Sequence, residues 1–296
     1  MDKLTIGITA YNCSDYLMDA INSVLFQSVD NWNAVLVLDG MTDRRTRKLF
    51  DNFQHPKFQK YTFKENQGPF GTRAKAIEMS KTDWYFQLDS DDLLPPNAIK
   101  DILVTINNNP KAEFINGDCE IFPTNPRKIN KPLFDEEMLC YSPLFNAVSP
   151  ISIKLFNRIG GYNKELFINA DWDFWLSVHE INIIGAYTNS KIYKRRMRND
   201  NIGHKFIYHR PEILEKIISR HILFFNSDER KNKARFNVWE KLARYSRSVG
   251  NRKEAANFVR KAIKCGNSTP IFESILKEEK MSNMRYFIRR LGRKLT

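Results

Sequence analysis

The chain contains no apolar run approaching the roughly 20 residues that a membrane-spanning helix needs. Its opening stretch, MDKLTIGITAYN, turns polar after a handful of apolar positions, so neither a secretory signal nor a transmembrane anchor is expected in it. Cysteine is scarce. Cys13, Cys119, Cys140 and Cys265 lie far apart, with no close pair to make a zinc knuckle or a redox motif, and they read as buried thiols in a reducing compartment. The expected location is therefore the cytoplasm. No helix-turn-helix, zinc-finger or RNA-binding signature accompanies the positive charge, so nucleic acid is not the expected partner.

With 296 residues and 42% hydrophobic content, the chain can bury one core with an appendage or two small domains. The net charge of +13 is unevenly placed: residues 211 to 296 carry 21 Lys and Arg against 9 Asp and Glu, whereas residues 1 to 210 carry 26 against 25. This split marks a boundary near Pro211, with domains expected at 1–210 and 211–296, and it assigns an anionic partner to the C-terminal part.

The first third alternates short β-branched runs with helical stretches: KLTIGIT then DYLMDAINSVLFQ, AVLVLD then TDRRTRKLFDNF, KYTF then GTRAKAIEMS, WYFQLD then PNAIKDILVTINN. Such alternation predicts an α/β domain with a mostly parallel sheet flanked by helices. Ligands of these sheets bind beyond the carboxyl ends of the strands. Here those ends carry Thr9, Tyr11 and Asn12; Asp39 and Gly40; Glu65 and Asn66; and Asp89, Ser90 and Asp91. Residues 112 to 210 are less regular, with a strand expected at AEFINGD, a Pro-containing loop from 123 to 132 and a segment IGGYNKELFINADWDFWLSVHE that leads into a helix. Beyond Pro211 the pattern is wholly helical, and VWEKLARYSRSVGNRKEAANFVRKAIKCG predicts an antiparallel helix pair about Gly250.

FQLDSDDLLPP crowds Asp89, Asp91 and Asp92 at the end of a buried strand. Two carboxylates there suit a hard divalent cation, Mg2+ or Mn2+, bridging to a phosphate-bearing substrate. The alternative is a solvated turn in which Asp92 caps the next helix. The ordered series TAYN, LDGMTD, NQGPFGTRAKAIEMS, LDSDD and GGYNKELFINADWDFW resembles the family 2 glycosyltransferases, over residues 3 to about 200. That family has the glycosyltransferase-A fold, a Rossmann-like mixed sheet, and is typically made of inverting enzymes that use nucleotide-diphosphate sugars.

The resemblance implies that Thr9 and Tyr11 line the base pocket and that Asp39 binds the uracil of a UDP-sugar; the alternatives are a strand-end tyrosine packed on a helix and an aspartate capping the helix near Thr42. Leu38 and Met41 stand where the family usually has Asp and Ser. Arg73 occupies a position where a family arginine approaches the nucleotide, and it could pair with a diphosphate or hold an aspartate. Asn66 and Ser90 join this donor-binding set. Asp89 is implied to contact the ribose or a metal-bound water, and Asp91 to ligate the metal directly. Asp171 matches the aspartate that removes the acceptor's proton, although Ala170 replaces the usual glutamate before it. Trp172 and Asp173 are candidate acceptor contacts, Trp175 reads as core, and His179 and Glu180 as helix surface. YKRRMRND resembles a segment that closes over the diphosphate, with Arg196 where histidine is usual; His204 is a candidate replacement ligand.

After Glu279 the tail has no acid, and Met284, Phe287, Ile288, Leu291 and Leu295 form an apolar stripe beside a basic face. This suits an anionic membrane surface, on the cytoplasmic face, or docking of the tail on its own domain. The expected activity is metal-dependent transfer from a nucleotide-diphosphate sugar to a glycan or lipid-linked glycan. Two other readings stand beside it. A sugar-phosphate nucleotidyltransferase would carry a Gly-rich loop with Arg after its first strand, where this chain has TAYNCSD. A catalytically degenerate nucleotide-binding scaffold would act through the helical tail.

Overall fold

The computed structural model describes residues 3–40, 42–123, 127–129, 136–141, 148–197, 206–266 and 268–292, the side chains of 127–129, 136 and 282–292 excepted. The chain divides into two compact units, Met1–Leu139 with Pro143–Asn199 and Cys140–Ser142 with Asp200–Thr296.

The first unit begins with the alternation the sequence predicts: β1 (Leu4–Ala10), α1 (Leu17–Leu25), β2 (Trp32–Leu38), α2 (Arg44–Asn52), β3 (Phe58–Thr62), α3 (Gly68–Glu78), β4 (Trp84–Asp89) and α4 (Ala98–Asn108). The four strands are parallel in the order β3-β2-β1-β4. The sheet then becomes mixed. β5 (Phe114–Phe122) and β6 (Arg127–Ile129) pair antiparallel; after α5 (Glu136–Leu139), the short β7 (Ile151–Ser152) pairs antiparallel with both β4 and β5. α6 (Ile153–Ile159) and α7 (Ala170–Glu180) lead to β8 (Gly185–Arg196), which runs parallel to β5 and completes eight strands.

Register explains which sheet face is polar. Successive side chains of a strand point to opposite faces. On one face Leu4, Ile6, Ile8, Phe86 and Leu88 are completely buried. On the other, the pairs Thr5 with Tyr85, Gly7 with Gln87 and Thr9 with Asp89 lie side by side. A Cβ at residue 7 would stand 1.9 Å from the Tyr85 hydroxyl, so glycine makes room for that side chain. Tyr85 donates to Gln87 Oε1, and Gln87 Nε2 donates to Thr9 Oγ1 and to Asp89 Oδ1, each at 3.3 Å. A buried polar ladder thus runs up the sheet to the strand ends.

In the second unit a 3-10 turn (Ile207–His209) precedes α8 (Arg210–Arg220), α9 (Asp228–Ser248), α10 (Arg252–Lys264) and α11 (Pro270–Gly292). α9 and α10 pack together about Gly250, whose φ of +81° needs no side chain, and Trp239 stacks on Phe258 with centroids 5.8 Å apart. Among the described residues no helix is long and apolar enough to cross a membrane.

Candidate active site

Three strand-to-helix loops build the first wall. Asn12, at φ +46°, accepts from the Asp43 N–H at 2.8 Å and the Thr42 hydroxyl at 3.0 Å, joining the loop after β1 to the loop after β2. Asp43 caps α2 by accepting from the N–H groups of Arg45 and Thr46. The capping duty therefore falls to Asp43, which leaves Asp39 for another task. Asp39 is buried and accepts from the Gln67 N–H at 2.6 Å. Burial raises its pKa, against the lowering influence of the Gln67 and Gly68 N–H groups. Gly40, at φ +57°, lets this loop touch the next: a Cβ there would lie 2.3 Å from the Asn66 nitrogen. Asn66 is exposed and accepts from the Gly68 N–H, while Tyr11 is 46% exposed beside the same rim.

Arg73 forms the centre. It lies on α3, its side chain only 11% exposed, and its Nη2 donates to Asp89 at 2.7 and 2.9 Å to the two oxygens. Its guanidinium also lies over the Phe70 ring at 5.2 Å. Burial opposes its charge, but Asp89, Tyr162 and Asp171 outweigh burial, and the pKa is raised. Asp171 opens α7, partly buried, and accepts from the Trp172 N–H at 3.0 Å. Burial raises its pKa, Arg73 lowers it, and the net shift from the ordinary value is upward. One guanidinium thus pairs with Asp89 and acts electrostatically on Asp171, two carboxylates far apart in the chain.

The carboxylates after β4 take distinct places. Ser90 is buried and Asp91 partly exposed. Asp92 is buried and does not cap α4; it accepts from the Arg196 N–H at 2.6 Å. Burial, then the charges of Asp89 and Asp91, push its pKa up to about 8. Arg196 is the last residue of β8; residues 198–200 of the segment expected to close over the diphosphate lie outside the described residues. The Arg196 Nε donates to the Asp91 carbonyl at 2.8 Å, and its guanidinium lies 4.7 Å from both the Tyr16 and Phe122 rings. The Tyr193 hydroxyl accepts from the Asp89 N–H at 3.0 Å.

Some expected contacts are redirected. Trp172 is 2% exposed and donates from Nε1 to the Leu139 carbonyl at 2.8 Å, so its face is not offered to a sugar. Asp173 is likewise buried on α7. Trp175 is core, its ring 5.3 Å from Phe114. His179 and Glu180 are partly exposed on the same helix, and His204 lies outside the described residues. Gln87, Tyr162 and Tyr193 surround the site without having been singled out from the sequence; β4's odd-numbered polar residues, read against its apolar even ones, carried the signal for Gln87.

The donor set is all hard oxygen. Among the described residues no group of three or more His, Cys, Asp or Glu could hold a metal. Mg2+ and similar ions need no such cage, binding through one or two carboxylates plus substrate phosphates. Asp91, with Asp89 beside it, fits that mode.

Solved structures set the fold class. The chain is similar to S. aureus TarS 1-349 in complex with UDP-GlcNAc, with a TM-score of 0.61 and 17% identity over 88% of this chain and 81% of that one. It is also similar to the mannosyltransferase PcManGT from Pyrobaculum calidifontis in complex with GDP-Man and Mn2+, with a TM-score of 0.54 and 12% identity over 95% and 80%. This is the glycosyltransferase-A fold. Residues 5–155, just over half the chain, match the Glycosyl transferase family 2 model, and the protein belongs to that family. Among curated relatives, a chondroitin synthase of Escherichia coli is 24% identical over 259 residues, covering 81% of this chain and 36% of that protein. The chain spans about a quarter to just over a third of the length of this and two further curated relatives, a hyaluronan synthase and a second chondroitin synthase.

Proposed function

We propose that this glycosyltransferase moves a sugar, with inversion, from a UDP-sugar to a hydroxyl of a glycan or lipid-linked glycan in surface polysaccharide biosynthesis. The observation that carries the reading is the part-buried Arg73–Asp89 pair at the strand ends, whose guanidinium also acts electrostatically on Asp171 at the start of α7. Complexes of similar folds with UDP-GlcNAc and GDP-Man support the donor class, and the chondroitin synthase relative supports a glycan acceptor.

In this reading Tyr11 and Asp39 receive the base, with Thr9, Asn66 and Ser90 completing the donor wall. Asp91 and Asp89 would hold Mn2+ or Mg2+, which when bound offsets charge on the diphosphate. Arg73 keeps the Asp89 carboxylate oriented and places a second positive charge beside the leaving group. Asp171 removes the proton of the acceptor hydroxyl as its oxygen attacks the anomeric carbon and the bond to the diphosphate breaks on the opposite side. Arg196 positions the Asp91 turn through its backbone and Nε contacts.

Thermal-shift measurements with UDP, dTDP, GDP and CMP, with and without Mn2+, test the donor half. UDP is expected to stabilise the wild type when Mn2+ is present, and Asp91→Asn should abolish that metal-dependent gain. Stabilisation by none of the four would overturn the donor assignment.

A further inference from the structure

Tyr162 stands in GGYNKELF, between α6 and α7. Gly160 and Gly161, at φ +85° and +76°, turn the chain sharply after α6, and a Cβ at 161 would press on the Phe156 ring at 3.0 Å. That turn sets Tyr162 against α3 and α7. Its ring is enclosed by Phe70 of α3 at 5.2 Å, Phe156 of α6 at 5.2 Å and Phe174 of α7 at 5.6 Å. A phenyl ring would satisfy all three contacts, so packing alone gives no reason for the hydroxyl.

The hydroxyl nevertheless lies where charge is concentrated. Phe70, which touches Tyr162, also carries the Arg73 guanidinium on its face, and Arg73, Asp89 and Asp171 all act on the Tyr162 hydroxyl. Among the described residues it has no hydrogen-bond partner. An unbonded hydroxyl beside these charges is available to a ligand, and a site built to bond a ligand hydroxyl discriminates against one that lacks it.

We propose that Tyr162 is a sugar-binding residue whose hydroxyl bonds a hydroxyl of the transferred sugar, between the strand-end acids and Asp171. The inference rests on the nucleotide-sugar reading above. It separates the two parts of the donor: the strand ends hold the nucleotide, and Tyr162 holds the sugar. Tyr162→Phe keeps the ring and its three contacts, so the protein should fold with an unchanged melting temperature.

Calorimetric titration of wild type and Tyr162→Phe, with UDP and with UDP-N-acetylglucosamine, UDP-N-acetylgalactosamine, UDP-glucuronate and UDP-glucose in Mn2+, tests it. UDP should bind both proteins equally. The UDP-sugar that gains most over UDP in the wild type should bind the variant about five- to tenfold more weakly, the worth of one hydrogen bond. An equal gain in both proteins would overturn the role of Tyr162 while leaving the nucleotide reading intact. If no UDP-sugar gains over UDP, the sugar-binding role falls likewise; if UDP itself fails to bind, the nucleotide reading falls with it.

Discussion

Arg73 presents one charge to two carboxylates. A buried guanidinium is tolerated only with partners, because a lost partner leaves an uncompensated charge. Asp89 supplies the direct pair, while at Asp171 burial raises the pKa more than Arg73 lowers it. Asp171→Asn is expected to keep UDP binding and to lower transfer by about 10²- to 10⁴-fold, the usual worth of a general base, measured as product formed under saturating donor. The wild-type rate should also fall as pH drops through the raised Asp171 value, since the protonated acid cannot accept a proton. That acid limb lies above the ordinary carboxylate value of about 3.9. Asp89, Asp91 and Asp171 could be singled out from the sequence because each stands in a recognisable short motif. The inward turn of Trp172 could not, since an indole beside an acid reads equally well as a sugar platform or as core until its Nε1 is seen bonded to Leu139.

At the scale of elements, the loops after β2 and β3 depend on one glycine. Gly40→Ala would force a left-handed backbone on alanine, costing about 1–2 kcal/mol, and would drive a methyl group into the backbone of Glu65 and Asn66. Because Asp39 is held by the Gln67 N–H just beyond, the variant should lose stability in urea denaturation and also weaken UDP affinity. The alternating strands and helices of the first 108 residues were legible because their hydrophobic runs follow the strand and helix periods. β8 was not. Lys191 and Lys194 in it pair with Glu120 of the neighbouring β5, so cross-strand charge takes the place of an apolar pattern. The segment YKRRMRND did not reveal that Arg196 ends a strand and braces the Asp91 turn from there.

For the molecule as a whole, charge and its placement differ between the two units. In the helical unit Lys241 is partly buried; burial and then the charge of Arg210 lower its pKa to about 8. The unfolded chain binds that proton up to about pH 10.4, so between about 8 and 10.4 it holds more protons than the folded state, and stability attributable to this lysine rises with pH. Lys241→Met should remove that rise, seen as a flatter difference in denaturation midpoint between pH 8 and 10. The basic tail gives a second test. Deleting residues 281–296 should weaken sedimentation with phosphatidylserine liposomes and leave neutral liposomes unaffected; unchanged sedimentation would favour a tail docked on its own domain.

The sequence alone determined the alternating parallel half of the sheet, the helical C-terminal region, the family, and which short motifs hold the acids, since periodicity and motif order are local properties of the chain. Only the tertiary structure decided which of those groups meet. Asp89 and Asp171 lie 82 positions apart, and their approach to Arg73 depends on how α3, β4 and α7 pack. The assignment of Asp92 to the β8 backbone, of Trp172 to the core and of the Tyr162 hydroxyl to the charged centre likewise follows from long-range packing, which carries no period that a single sequence displays.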